Sequence, residues 1–67
     1  MTAEKFFDMY DVYPLLKFQF FGGYVYVDEI EIEGKKIGLY NANIRIGEFD
    51  PVRISEVFFD DMIVIVR

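Results

Sequence analysis

The chain has no histidine, no cysteine and no tryptophan, only 2 prolines, and 7 basic against 12 acidic side chains, for a formal net charge of -5. Without His or Cys there is no zinc constellation, no Ser-His or Cys-His nucleophile, no thiol redox centre and no imidazole titrating near neutral pH. Most enzyme chemistry is thereby excluded, and no catalytic residue, cofactor or metal is expected. The lack of Cys suits a reducing compartment, although secreted proteins can also do without disulfides. The opening Met1-Thr2-Ala3-Glu4-Lys5 lacks the basic stretch and apolar core of a signal peptide. Lys17 and Gln19 interrupt the longest apolar region well short of the roughly 20 residues a membrane span needs. A cytoplasmic protein with no membrane partner is the expectation.

What the chain does have is apolar mass: 54% of its 67 residues are hydrophobic, including 8 Phe and 5 Tyr. A chain this short buries only about 60% of the surface it exposes unfolded, which allows one small core and a single domain over residues 1–67.

Phe6, Met9, Tyr10 and Tyr13 recur at i, i+3, i+4 and i+7, which predicts an amphipathic helix over 2–13, with a strand beginning near Asp11 as the competing reading. Thr2 is its expected cap, Glu4 suits the positive end of its dipole, and Pro14 ends it. Beyond Pro14 the runs 15–21 and 24–33, rich in aromatic and β-branched residues, predict strands with Gly22-Gly23 as the turn between them. Glu33-Gly34-Lys35-Lys36 has Gly first of the two central residues, as a type II′ hairpin requires, and leads into a strand over 36–46. That turn sets Ile32 opposite Ile37, Ile30 opposite Leu39, Asp28 opposite Asn41, Val27 opposite Ala42 and Val25 opposite Ile44. The inward parity switches at Asp28 and Asn41 on both strands, which predicts a bend, bulge or barrel corner there. Asp50-Pro51 is a helix start, but the β-branched and aromatic content of 52–59 favours a strand. Asp60-Asp61 should turn the chain into 62–66, apolar on both faces and therefore expected to be fully buried. The predicted fold is α+β and mostly β: a short N-terminal helix plus four or five antiparallel strands, as a bent sheet or small barrel. An edge strand or the apolar last strand would support a homodimer.

Glu29, Glu31 and Glu33 alternate on one strand, so they share a face at a spacing of about 6.7 Å. Asp28, Asp60 and Asp61 add negative charge. An ordinary solvated strand edge uses the same charges to avoid sticking to its neighbours; the functional reading is an acidic surface for a basic partner. Direct nucleic-acid binding is opposed by the net charge, because a stacking platform of aromatics still needs a basic groove for the phosphates. The aromatics are therefore read as core and contact surface, with Tyr10, Tyr24, Tyr26 and Tyr40 as candidates for the latter. Asp60-Asp61 with Glu56 lacks any EF-hand loop and is read as a turn rather than a cation site.

The segment Phe6-Phe7-Asp8-Met9-Tyr10-Asp11-Val12-Tyr13-Pro14-Leu15-Leu16, with Tyr24 beyond it, resembles the start of the small acidic uracil-DNA glycosylase inhibitors of Bacillus phages. The likeness rests on Phe6, Asp8, Tyr10, Asp11, Val12, Leu15, Leu16 and Tyr24 and covers about a third of the chain. Phe18-Gln19-Phe20-Phe21 stands where that family has an acidic turn, and the remaining sequence does not follow its pattern. In size and acidity the chain is also similar to phage proteins that block histone-like HU proteins. The resemblance implies a dimeric, phage-encoded DNA mimic acting in the host cytoplasm, which occupies the DNA site of a basic host DNA-binding protein. Asp28, Glu29, Glu31, Glu33, Asp60 and Asp61 would supply charge, and Tyr24, Tyr26 and Tyr40 contact area. The alternative from a different class is an acidic structural or adaptor module acting through apolar assembly.

Overall fold

The computed structural model describes residues 2–67. It begins with α1 (Thr2–Val12) and continues through β1 (Leu16–Phe20), β2 (Gly23–Val27), β3 (Glu29–Glu33), β4 (Lys36–Asn41) and β5 (Ile44–Phe49). A 3-10 turn (Pro51–Arg53) then leads to β6 (Ile54–Phe58) and β7 (Ile63–Val66). The strands form two sheets, ordered β2-β1-β7-β6 and β3-β4-β5. The fold is α+β and mostly β, as expected, but with seven strands rather than four or five, and no closed barrel forms among the described residues.

The helix forms where the 3.6-residue period placed it, with Phe6 and Met9 buried and Tyr10 and Tyr13 half-buried. Its last hydrogen bond runs from the Tyr13 N–H to the Met9 carbonyl at 3.0 Å, and Pro14 prevents a further turn. The expected Thr2 side-chain cap lies outside the described residues.

Gly34 takes φ +65 while Lys35 does not have a positive φ, so the β3–β4 turn is the predicted type II′, and the pairs Glu33–Lys36, Ile32–Ile37 and Ile30–Leu39 form as read. The first hairpin turns on Phe21 and Gly22 rather than Gly22-Gly23, because Phe20 already pairs with Gly23 and Gly22 supplies the positive φ of +93.

The long strand predicted over 24–33 is two strands in different sheets. The parity switch at Asp28 marks the crossing: Val27 ends β2 beside β1, and Glu29 begins β3 beside β4. On the partner strand the switch at Asn41 is a hairpin, with Ala42 (φ 52) and Asn43 (φ 67) both left-handed, the signature of a type I′ turn. The predicted pairs Val27–Ala42 and Val25–Ile44 therefore do not form. Val25 faces Phe18, and Ile44 folds back onto Asn41. Three polar contacts pin the crossing. The Asp28 N–H donates to the Tyr40 carbonyl at 3.0 Å, the Asp28 carboxylate accepts the Ala42 N–H at 3.1 Å, and the Asn41 amide donates to the Tyr26 carbonyl at 2.9 Å.

Both readings of 52–59 are partly right. Asp50 accepts the Val52 N–H at 3.0 Å and starts one 3-10 turn, after which the β-branched residues take over as β6. β7 runs parallel to β1 and antiparallel to β6, so it is central in its sheet. Only one of its faces is covered, however: Val64 and Val66 are buried while Ile63 and Ile65 are half-buried, which corrects the expectation of burial on both sides.

The core joins Leu16, Phe18, Val27, Val64 and Val66 of the four-stranded sheet to Ile37, Leu39 and Phe49 of the three-stranded one, with Phe6 and Met9 from the helix. Phe6 meets Phe18 edge-on at 5.5 Å and Phe49 at 6.0 Å, and Phe18 lies 5.4 Å from Phe49. Truncating Phe18, which is 0% exposed, should cost about 3–5 kcal/mol in F18A by urea denaturation. V52A, at a residue 79% exposed, should stay within about 0.5 kcal/mol of wild type.

Candidate functional site

The outer face of the three-stranded sheet collects Glu29, Glu31 and Glu33 from β3, Lys36, Gly38 and Tyr40 from β4, and Arg45 and Glu48 from β5. Register places them there: Glu29 pairs with Tyr40, Glu31 with Gly38, Glu33 with Lys36, Gly38 with Glu48, and Tyr40 with Arg45. Arg45 and Glu48, three residues apart, would point to opposite faces of a regular strand. A bulge makes the difference: Leu39 pairs with Gly47 but Tyr40 with Arg45, leaving Ile46 as the extra residue.

The Glu ladder is not electrostatically uniform. The Arg45 guanidinium reaches across β4 and grips Glu33 with both ends, Nη1 donating to Oε2 and Nη2 to Oε1 at 2.8 Å. The Tyr40 hydroxyl accepts from Arg45 Nη1 at 3.0 Å and donates to Glu33 Oε2 at 3.3 Å. Glu48 lies 3.9 Å from Arg45 and 4.0 Å from Lys36. The Arg45 hydrogen bond holds the Glu33 carboxyl below its ordinary value of 4.5, and the same bond holds Arg45 further in its charged form. Glu33 is thus a clamped, compensated charge, while Glu29 and Glu31 stand exposed with no ion pair among the described residues.

Gly38 makes the clamp possible. A Cβ there would come within 2.6 Å of Glu33 Oε2 and 2.9 Å of Arg45 Nη1, so the ion pair lies in the space a side chain would fill.

The other candidates lie elsewhere. Asp28 sits at the crossing between sheets, where its carboxylate holds the Ala42 N–H, so it works as a structural residue. Tyr24 and Tyr26 are on β2 in the four-stranded sheet, 57% and 47% exposed, with their rings edge-to-face at 5.6 Å and Lys17 Nζ 4.2 Å above the Tyr24 ring. Asp60 and Asp61 occupy the exposed turn between β6 and β7. The structure brings Glu29, Glu31, Glu33 and Tyr40 together and separates them from Tyr24, Tyr26, Asp60 and Asp61. Among the described residues, no group of three or more His, Cys, Asp or Glu is arranged to hold a metal ion, and no helix is long and apolar enough to cross a membrane.

Arg45 is the residue that sequence reasoning passed over. A strand drawn straight through 36–46 hid its pairing with Tyr40. The signal was Asn43, a residue type that tolerates the left-handed conformation a two-residue hairpin needs.

No protein-family model matches the chain, and no curated protein or solved structure matches it either.

Two measurements check the clamp. G38A should fold, because the atoms its methyl would displace are the far ends of flexible side chains, yet in a carbon-detected NMR titration its Glu33 should move up toward 4.5. Because the folded-state value is depressed, the clamp stabilises the fold above 4.5, and that contribution disappears as pH falls through the lower folded value. The difference in urea midpoint between wild type and E33Q should therefore be full at neutral pH and vanish in acid; a difference that grows in acid would contradict it.

Proposed function

We propose that this protein is a non-enzymatic DNA mimic that occupies the DNA-binding site of a basic host DNA-binding protein, of the HU type or a uracil-DNA glycosylase. The observation that carries the reading is the exposed edge strand β3, whose outer face presents Glu29 and Glu31 uncompensated beside the clamped Glu33. Carboxylates carried on a strand spring from fixed backbone positions, so they lose less entropy on binding than a flexible acidic tail, and they attract Lys and Arg over long range. Tyr40, half-buried between Glu33 and Arg45, adds rigid contact area at the same face. Glu29 and Glu31 carry the charge in this reading, whereas Asp28 shapes the crossing that aims β3. The resemblance of the N-terminal segment to phage glycosylase inhibitors supports the same class of target and a phage source.

A second reading rests on a different face. Across the four-stranded sheet, Tyr26, Lys17, Ile63 and Phe58 form one outward row and Tyr24, Gln19, Ile65 and Glu56 the next. No element of the described chain covers this largely apolar surface, which would suit an adaptor module or a homodimer.

Displacement of a labelled duplex from an HU protein and from a uracil-DNA glycosylase separates the two. The mimic should displace the duplex from one of them at low salt and lose potency steeply as salt rises. E29K/E31K should slow its association about tenfold or more, as expected when a steering charge is reversed. Potency unchanged in E29K/E31K, or indifferent to salt, would assign the contact to the apolar face.

A further inference from the structure

β3 is an edge strand: its sheet runs β3-β4-β5, so one side of its backbone pairs with β4 and the other meets no strand. Two features fix which groups lie on the open side. The type II′ turn makes Glu33 and Lys36 a hydrogen-bonded pair, and alternation from there bonds Glu31 and Glu29 to β4 while Ile32 and Ile30 point their N–H and carbonyl away from it. The helix agrees, because the Tyr10 hydroxyl takes the Ile30 N–H at 3.3 Å from outside the ladder.

Tyr10 thereby closes the edge at Ile30 and leaves it open at Ile32. Among the described residues nothing bonds to the Ile32 N–H or carbonyl, and the Ile32 side chain is 68% exposed. A backbone donor and acceptor side by side in solvent, next to an uncovered aliphatic side chain, are the groups that an added strand engages. The edge strand β2 is capped in the same way, by the Asn41 amide on the Tyr26 carbonyl at 2.9 Å, but it carries no charged residue of its own.

The side chains around Ile32 define the strand that fits. A residue directly opposite Ile32 lies on its face of the sheet, and the residues on either side of it face the glutamates. Glu33 is already held by Arg45, whereas Glu31, and Glu29 beyond it, are exposed with no ion pair among the described residues. Like charges opposite one another destabilise paired strands. A second β3 would set Glu against Glu, so the edge rejects its own copy and admits a strand with Lys or Arg at alternate positions.

We propose that the β3 edge takes up an extended segment of a protein partner by strand addition, an apolar residue bonding Ile32 through its backbone and alternate Lys or Arg side chains facing Glu31 and Glu29. This rests on the reading that Glu29 and Glu31 meet a basic partner, and adds that the partner is held by its backbone as well as by its charge.

A synthetic peptide of alternating Lys and Val is the probe, followed by the amide resonances and hydrogen exchange of the labelled protein. It should shift the Ile32 amide and slow its exchange. Methylating the valine nitrogens keeps every charge but removes the donors, and should weaken binding about tenfold, the loss expected of one or two backbone hydrogen bonds. I32P removes the outward N–H and no ladder bond, and should weaken binding likewise with the carboxylates in place; E29Q/E31Q should weaken it through charge. A methylated peptide bound as tightly as the parent by the wild type would overturn strand addition and leave the acidic contact standing. Equal binding by E29Q/E31Q would overturn the basic-partner reading along with it. An Ile32 amide that the peptide leaves unprotected, or one that shifts with protein concentration alone because a second copy occupies the edge, would also overturn the proposal.

Discussion

Phe6, Phe18 and Phe49 meet ring to ring, and each comes from a different part of the fold: the helix, the four-stranded sheet and the three-stranded sheet. In a chain of this length the core is too small for redundancy, so this contact is where the three parts become one structure. Aromatic pairs of this kind add about 0.5–1.5 kcal/mol each beyond the area they bury, a large share of the margin available to a small domain. Tyr10 extends the helix's hold to the edge of β3, where its hydroxyl accepts the Ile30 N–H at 3.3 Å.

The buried side chains of both sheets converge on that core, although Ile32 and Ile44 at the ends of the three-stranded sheet remain 68% exposed, and the outer faces differ. One carries charge in a partly compensated network, the other aromatic and aliphatic side chains that no element of the described residues covers. The charged face owes its pattern to backbone detail rather than to composition. The bulge at Ile46 turns Arg45 to the side of Glu48, and the bare Cα of Gly38 lets Arg45 reach Glu33. The result is an acidic strand whose hairpin end is rigidly neutralised and whose other end, at Glu29 and Glu31, is not.

The parts of this architecture that were legible in the sequence are the local ones. The helix followed from the spacing of Phe6, Met9, Tyr10 and Tyr13, and the β3–β4 register from Gly34 and its flanking Glu33 and Lys36. The parity break at Asp28 and Asn41 was visible too, but not its meaning. Whether a strand bends or changes sheet depends on which strand receives it, and β1 takes β2 through a turn whose pairing has no signature at residue 28. The parallel pairing of β1 with β7 joins residues more than forty positions apart and leaves no local period to read. Arg45 was missed for the same reason: its partner depends on the turn at Ala42 and Asn43, where Ala is an unusual occupant of a left-handed position. The grouping of the ladder Glu residues followed from strand alternation alone, whereas the neutralisation of Glu33 required the third strand.

The central functional claim is that an acidic face on a rigid sheet takes the place of DNA. Its most direct test is retention of bacterial lysate proteins on the immobilised chain, eluted with a salt gradient and repeated with excess duplex DNA as competitor. The account predicts that a basic DNA-binding protein is retained, leaves the column at moderate salt and is displaced by the duplex. Retained partners that ignore both salt and duplex would contradict it and assign the protein's function to its apolar face.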